Sequence, residues 1–205
     1  MEKLITQDNK LVSMQYQITQ EQEFSKVDYT KIALPKGEYE LCTFTSCDFS
    51  NSELSKIKFI ECEFVGCNLS SVNIFGASFQ EVKFMDCKML GLRFDLCDSF
   101  GLAIDFSNCQ LDHSSYYRVK LTNSRFLNCT LKDIDLSEAD LTKVLVDKCD
   151  LSGAIFDRTN LEKADFSSAF NYSIDPENNK IKAASFSLPA ITGLLDKYQL
   201  KIAIQ

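Results

Sequence analysis

ADLTK VLVDK CDLSG AIFDR TNLEK ADFSS, residues 139–168, is a sequence with a beat of five. Leu141, Val146, Leu151, Phe156, Leu161 and Phe166 are all apolar, and each is preceded at two places by a residue no larger than itself: Ala139, Val144, Cys149, Ala154, Thr159 and Ala164. The beat runs back through Leu136, Leu131, Phe126, Leu121, Tyr116 and Leu111 to Phe106. A second register, offset by two, runs from Phe44 to Phe94 through Phe49, Leu54, Phe59, Phe64, Leu69, Ile74, Phe79, Phe84 and Met89. All nine cysteines share the small slot: Cys42, Cys47, Cys62, Cys67, Cys87 and Cys97 in one register, Cys109, Cys129 and Cys149 in the other. A period of five fits neither an amphipathic helix nor an alternating strand, so the chain reads as a repeat architecture.

Side chains two apart in an extended chain share a side, so the small residue and the apolar centre both face inward. The residue between them points outward and is often acidic or an amide: Asp48, Asn68, Asp140, Asp150, Asn160, Asp165. Two mostly polar residues follow each centre, as in Ser50-Asn51 and Thr142-Lys143. Each pentad is thus a short extended edge and a corner. Cys42/Cys62, Cys47/Cys67/Cys87 and Cys109/Cys129/Cys149 recur at twenty residues. Four edges therefore close one coil, and coils stack at about the strand spacing of 4.8 Å. The prediction is an all-β solenoid.

The chain has 205 residues and a formal net charge of -7. That balance supplies no basic face for phosphate contacts, which argues against direct nucleic-acid binding. No stretch approaches the length of a membrane span and the first ten residues lack a secretory h-region, so a cytoplasmic protein is expected. Cysteines that alternate with Val72, Ala77, Val82 and Ser124 in one slot read as small, reduced core residues rather than a disulfide framework. No cofactor or metal is expected: CxxC is absent, and a core of Phe44, Phe49, Phe64 and Leu69 leaves no room for a zinc site among Cys42, Cys47, Cys62 and Cys67. No catalytic residues are expected either. The single histidine, His113, falls at a solvated corner, and the acidic residues are spread around the coils with no pair converging on a cleft.

The stretches CDFSN (47–51), CNLSS (67–71), ADLTK (139–143), CDLSG (149–153), TNLEK (159–163) and ADFSS (164–168) resemble the pentapeptide-repeat family, over residues 39–168 or so. Ile57, Leu92 and Ile134 are bulky for the small slot, and Met89 and Val146 are unusual centres. The resemblance implies a right-handed, quadrilateral β-helix with Phe/Leu ladders. It also points to the Qnr-type quinolone-resistance and microcin-immunity branch, whose members are cytosolic dimers that bind type II topoisomerases such as DNA gyrase by mimicking duplex DNA. An acidic binding face would then include Asp140, Asp150 and Asp165. The alternative is a scaffold that binds some other protein.

Four segments follow. Residues 1–22 lack a period and form an N-terminal arm; 23–98 and 99–168 are two half-solenoids; 169–205 hold a linker, a capping or dimerisation helix and a short strand. The halves meet where Phe94 and Phe106 stand twelve apart instead of ten, so two residues must bulge out or break the helix there. In the last segment Ser187 would cap a helix with Pro189 in its first turn. Leu188, Ile191, Leu194, Leu195 and Tyr198 would form its apolar stripe and the homodimer contact, and Leu200, Ile202 and Ile204 would alternate as a strand.

Overall fold

The structure is a computed structural model, and it describes residues 17–202. The five-residue edges form a four-sided parallel coil. Side one carries β1 (Gln17–Gln20), β3 (Gly37–Glu40), β5 (Lys58–Ile60) and β7 (Ser78–Gln80). Side two is a nine-stranded sheet: β2 (Glu23–Ser25), β4 (Thr43–Thr45), β6 (Glu63–Val65), β8 (Val82–Met85), β9 (Ile104–Ser107), β10 (Arg125–Leu127), β11 (Leu145–Asp147), β12 (Asp165–Phe166) and β13 (Ser185–Phe186). Sides three and four are ladders of single bridges, Asp48↔Asn68↔Lys88 and Glu53↔Asn73 among them. Phe24 pairs with Phe44, Phe44 with Phe64 and Phe64 with Phe84, always twenty residues on.

Stacking like on like makes the core a set of columns. On side two Phe24, Phe44, Phe64, Phe84, Phe106 and Phe126 lie ring over ring, with centroids 4.8, 4.8, 5.1, 5.3 and 5.0 Å apart. Val146 interrupts the column before Phe166. On side three Cys47, Cys67, Cys87, Cys109, Cys129 and Cys149 form a column of buried thiols. The slot selects small donors as well as small volumes. Cys67 Sγ donates to the Phe44 carbonyl of the coil below (3.2 Å), and Ser114 Oγ, Thr159 Oγ1 and Asn179 Nδ2 do the same to Met89, Leu136 and Phe156. Ile57, Leu92 and Ile134 are nonetheless fully enclosed in that slot.

The second residue after most centres turns the corner in the left-handed region, at φ +54° for Asn51, +53° for Lys148 and +71° for Gly153; Leu96, in a 3₁₀ turn beside the slip, and Ser168 do not. Where Ser52 N also donates to the Phe49 carbonyl (2.9 Å), the corner is a type II turn, whose third residue needs positive φ.

The two extra residues between Phe94 and Phe106 are absorbed by one side. Sides two, three and four step across the slip with a 22-residue offset: Phe84↔Phe106, Lys88↔Gln110 and Arg93↔Ser115. Side one does not. Its strands end at β7, and its ladder resumes only at Lys120↔Asp140. Between them residues 98–103 arch outward, tied below by Asp98 N to the Ala77 carbonyl and Ala103 N to the Phe79 carbonyl.

Both ends differ from the sequence expectation. At the N-terminus Gln17–Gln20, assigned to the arm, is a strand paired with Gly37–Glu40; residues 1–16 lie outside the described residues. At the C-terminus the coil continues past Phe166 to Phe186, which pairs with Phe166. The expected helix is replaced by two 3₁₀ turns, Ile191–Leu194 and Asp196–Tyr198. Gly193 explains why: its carbonyl accepts the Ile174 N–H (2.9 Å), and it lies so close to Tyr172 that a Cβ would sit 2.1 Å from the Tyr172 carbonyl oxygen. Docking on the last coil thus takes precedence over a regular helix that a central glycine already weakens. Leu200 to Ile202 form no strand, and Ile204 lies outside the described residues.

Candidate interaction surfaces

Asp140, Asp150 and Asp165 occupy three different sides. Asp140 lies on side one between Lys120 and Asn160, Asp150 on side three between Thr130 and Phe170, and Asp165 on side two between Leu145 and Ser185. Each carboxylate accepts the backbone N–H two residues on, from Thr142, Ser152 and Ser167 at 3.1, 3.1 and 2.9 Å, and so braces its own corner. Around Asp150, burial works to raise the pKa, but the Ser152 hydroxyl, Asn171 and Lys132 outweigh it and hold the carboxyl at about 2.

Charges of both signs are interspersed along the rod. Lys58 pairs with Glu38 (3.0 Å), Lys83 with Glu63 (3.1 Å), and Glu138 sits between Arg118 and Arg158 (2.6 and 2.9 Å). The Asp140 column reads Lys120, Asp140, Asn160, Lys180. His113 stands on a corner, two-thirds exposed, 3.7 Å from Asp133. Among the described residues no cluster of three or more His, Cys, Asp or Glu could hold a metal ion. Burial pushes the Cys62 thiol up to about 12. No helix among the described residues is long and apolar enough to cross a membrane.

Two places break the regular surface. The first is the slip. Beside the arch opens a cleft of about 550 Å³, lined by Leu41, Glu61, Glu63, Glu81, Val82, Lys83, Ala103, Ile104, Asp105 and the corner Thr122–Ser124. Phe100, at the crest of the arch, is 77% exposed, and Phe75 and Leu96 are exposed at the preceding corner. Sequence reasoning located the slip but not its walls. The signal was available, since Leu41, Glu61 and Glu81 are twenty apart and must stack on one corner.

The second is the C-terminal cap. Leu188 is 83% exposed, and Ile191, Tyr198, Leu200 and Ile202 are also exposed. Leu194 instead packs against the core, and Leu195 is half-buried, so the five residues expected on one stripe are divided between the cap's inner and outer faces. Tyr198 donates to Glu177 (2.8 Å), and Lys197 bridges Asp175 and Glu177 at 2.7 and 2.6 Å, which pins the second 3₁₀ turn.

Residues 38–116 match the pentapeptide repeat region, and 104–142 and 134–170 match pentapeptide repeats (8 copies). No curated protein matches the chain. Among solved structures it is similar to QnrB1, a plasmid-mediated fluoroquinolone resistance protein. A trypsin-treated variant of QnrB1 shares 14% identity over 92% of this chain and 98% of that one, with a TM-score of 0.59. The full-length form gives 14%, 90%, 100% and 0.55. HetL, a pentapeptide repeat protein involved in heterocyst differentiation regulation from the cyanobacterium Nostoc sp. strain PCC 7120, shares 17% identity over 83% of this chain and 85% of its own, with a TM-score of 0.39. The five-residue beat, the parallel coils it builds and the matches from residue 38 to 170 together place the chain in the pentapeptide-repeat family.

Proposed function

We propose that this chain is a non-catalytic interaction protein, a stiff four-sided rod that presents its sides to a protein partner. The observation that carries this reading is the placement of charge. Acids, amides and bases share columns, as in Lys120–Asp140–Asn160–Lys180, and Glu138 is shared by two arginines. A surface of that kind offers many local contacts and lacks the continuous negative stripe of duplex DNA. Photo-crosslinking amino acids, one on each side of the rod at Lys120, Arg125, Thr130 and Asp135, test it in the producing cell. A discrete protein adduct from one or two sides is expected; uniform or absent labelling from all four would sink the reading.

A second reading is that the partner is DNA gyrase or a related topoisomerase. Its support is the overlay on QnrB1 along nearly the whole of both chains and the net charge of -7. A supercoiling assay with purified gyrase, with and without a fluoroquinolone, decides it: protection or inhibition supports it, and no effect at low salt removes it. In either case we place the rod in the cytoplasm, a reading supported by nine free thiols, eight of them buried. We also propose a homodimer through the C-terminal cap, because exposed Leu188, Ile191 and Tyr198 form an apolar surface at the end of the rod.

A further inference from the structure

We infer that the cleft beside the slip, at the corner where side one meets side two, is a docking site for an extended, lysine- or arginine-bearing segment of a partner protein. The inference rests on the interaction-rod reading and says where on the rod the partner binds.

The slip leaves the rod with one side whose ladder is interrupted while the other three continue. Where the arch rejoins the coil at Ala103, a gap of about 550 Å³ lies over the corner and the side-two strands β6, β8 and β9, and it suits a few residues of extended chain rather than a folded surface. Its walls carry four carboxylates, Glu61, Glu63, Glu81 and Asp105, against one ammonium, Lys83, and that ammonium already pairs with Glu63 at 3.1 Å. Glu61 and Glu81 are exposed corner residues that stack directly on the same column as Leu41, itself 47% exposed. Carboxylates beside an apolar floor match a side chain that is cationic at its tip and aliphatic along its stem. Ala103, where the arch rejoins the coil, closes one end of the gap. An acidic segment would meet unpaired like charge in the same space. The arch is held to the coil below by few backbone bonds, so it can adjust to what enters.

The test uses the full chain and a short fluorescein-labelled peptide alternating lysine and serine, with an alternating glutamate–serine peptide beside it. Fluorescence anisotropy should show the basic peptide binding at about 20 mM salt and releasing at about 300 mM, where exposed charges are screened within a few ångströms. The double variant Glu61→Lys/Glu81→Lys should weaken binding by about tenfold or more, as reversal of charge at a binding surface does. Both positions turn corners at φ near +50°, and lysine already turns the equivalent corners at Lys56, Lys143 and Lys148, so the variant keeps its fold. Circular dichroism and an unchanged unfolding midpoint confirm that. Leu41→Ser, on the apolar floor of the cleft, should weaken binding without altering the charge; serine already turns the equivalent corners at Ser46 and Ser71. Asp133→Lys, on the corner between sides three and four, is the control and should bind like the parent. Equal losses in Asp133→Lys and the cleft variant mean diffuse attraction and overturn the site; so does binding of the acidic peptide, or no binding at low salt. Side-specific crosslinks that persist alongside such a failure would leave the rod reading standing and remove only the cleft.

Discussion

Phe64 and Phe126 occupy the same column of side two, yet replacing each with alanine should cost different amounts. Both are buried, so each loses the transfer and cavity contribution of a core phenylalanine, about 3–5 kcal/mol. Their aromatic surroundings differ. Phe64 is stacked on Phe44 and Phe84 and meets Phe49 and Phe59 edge-on at 5.9 and 5.3 Å. Phe126 is stacked only on Phe106 and meets Tyr116 edge-on at 6.1 Å, because Val146 ends the column above it. With two more ring pairs at roughly 0.5–1.5 kcal/mol each, Phe64→Ala should exceed Phe126→Ala by about 1–3 kcal/mol. Urea unfolding followed by circular dichroism measures the difference through the midpoints, provided the slope is shared. A solenoid can unfold in sections, so hydrogen exchange of the two halves should accompany it. Equal costs, or a larger one at Phe126, would show that the ring columns contribute nothing beyond area burial.

Filling the column is the complementary experiment: Val146→Phe meets an apolar void of only about 10 Å³ bounded by Phe126, Leu131, Ile134, Leu136, Leu141 and Phe166, so the larger ring should overpack the coil and cost about 1–3 kcal/mol in a thermal melt. Stabilisation instead would mean that the surrounding leucines can repack to seat two aromatics in one coil, as Phe106 and Tyr116 are seated in theirs. In acid titration Asp150→Asn should flatten the stability loss between about pH 4 and pH 2. The folded pKa of about 2 lies below the ordinary 3.8, so the wild-type carboxylate contributes stability above the upper value and loses it as pH falls through the lower. Timed alkylation with mass spectrometry should label Cys97 first, since it is the one cysteine not fully enclosed, and the other eight only on unfolding. Light scattering of Leu188→Asp/Ile191→Asp should report a monomer from a dimeric parent; a parent that is already monomeric at high concentration ends the dimer proposal.

Much of this was legible in the chain because a five-residue beat has few structural solutions. The inward positions, the twenty-residue coil and the cysteine slot follow from volume and direction alone. What the beat hid was chemistry superimposed on it. Asp140, Asp150 and Asp165 occupy the same place in the pentad, but ten and fifteen residues are two and three corners, and the carboxylates therefore diverge. The C-terminal pattern of Leu188, Ile191, Leu195 and Tyr198 fits a helical period, yet Gly193 is held by contacts with Tyr172 that no local pattern reveals. The last coil was obscured because Asn179 replaces a small apolar residue, and its bond to the Phe156 carbonyl, like those of Ser114 and Thr159 to their own coils below, shows that the slot accepts a donor.

The one-sided slip also bears on how such a rod can change. A coil is a closed circuit, and lengthening it ordinarily shifts every later side chain against the column beneath. Here residues 98–103 leave the circuit and return to it while Phe106, Gln110 and Ser115 keep their partners below. Further residues added at the crest, near Phe100 and Gly101, would leave those three pairings untouched and cost only loop entropy, about 0.6 kcal/mol for each doubling of length. That corner is therefore the natural point for grafting a foreign loop, or for lineages to acquire one, without re-registering the solenoid.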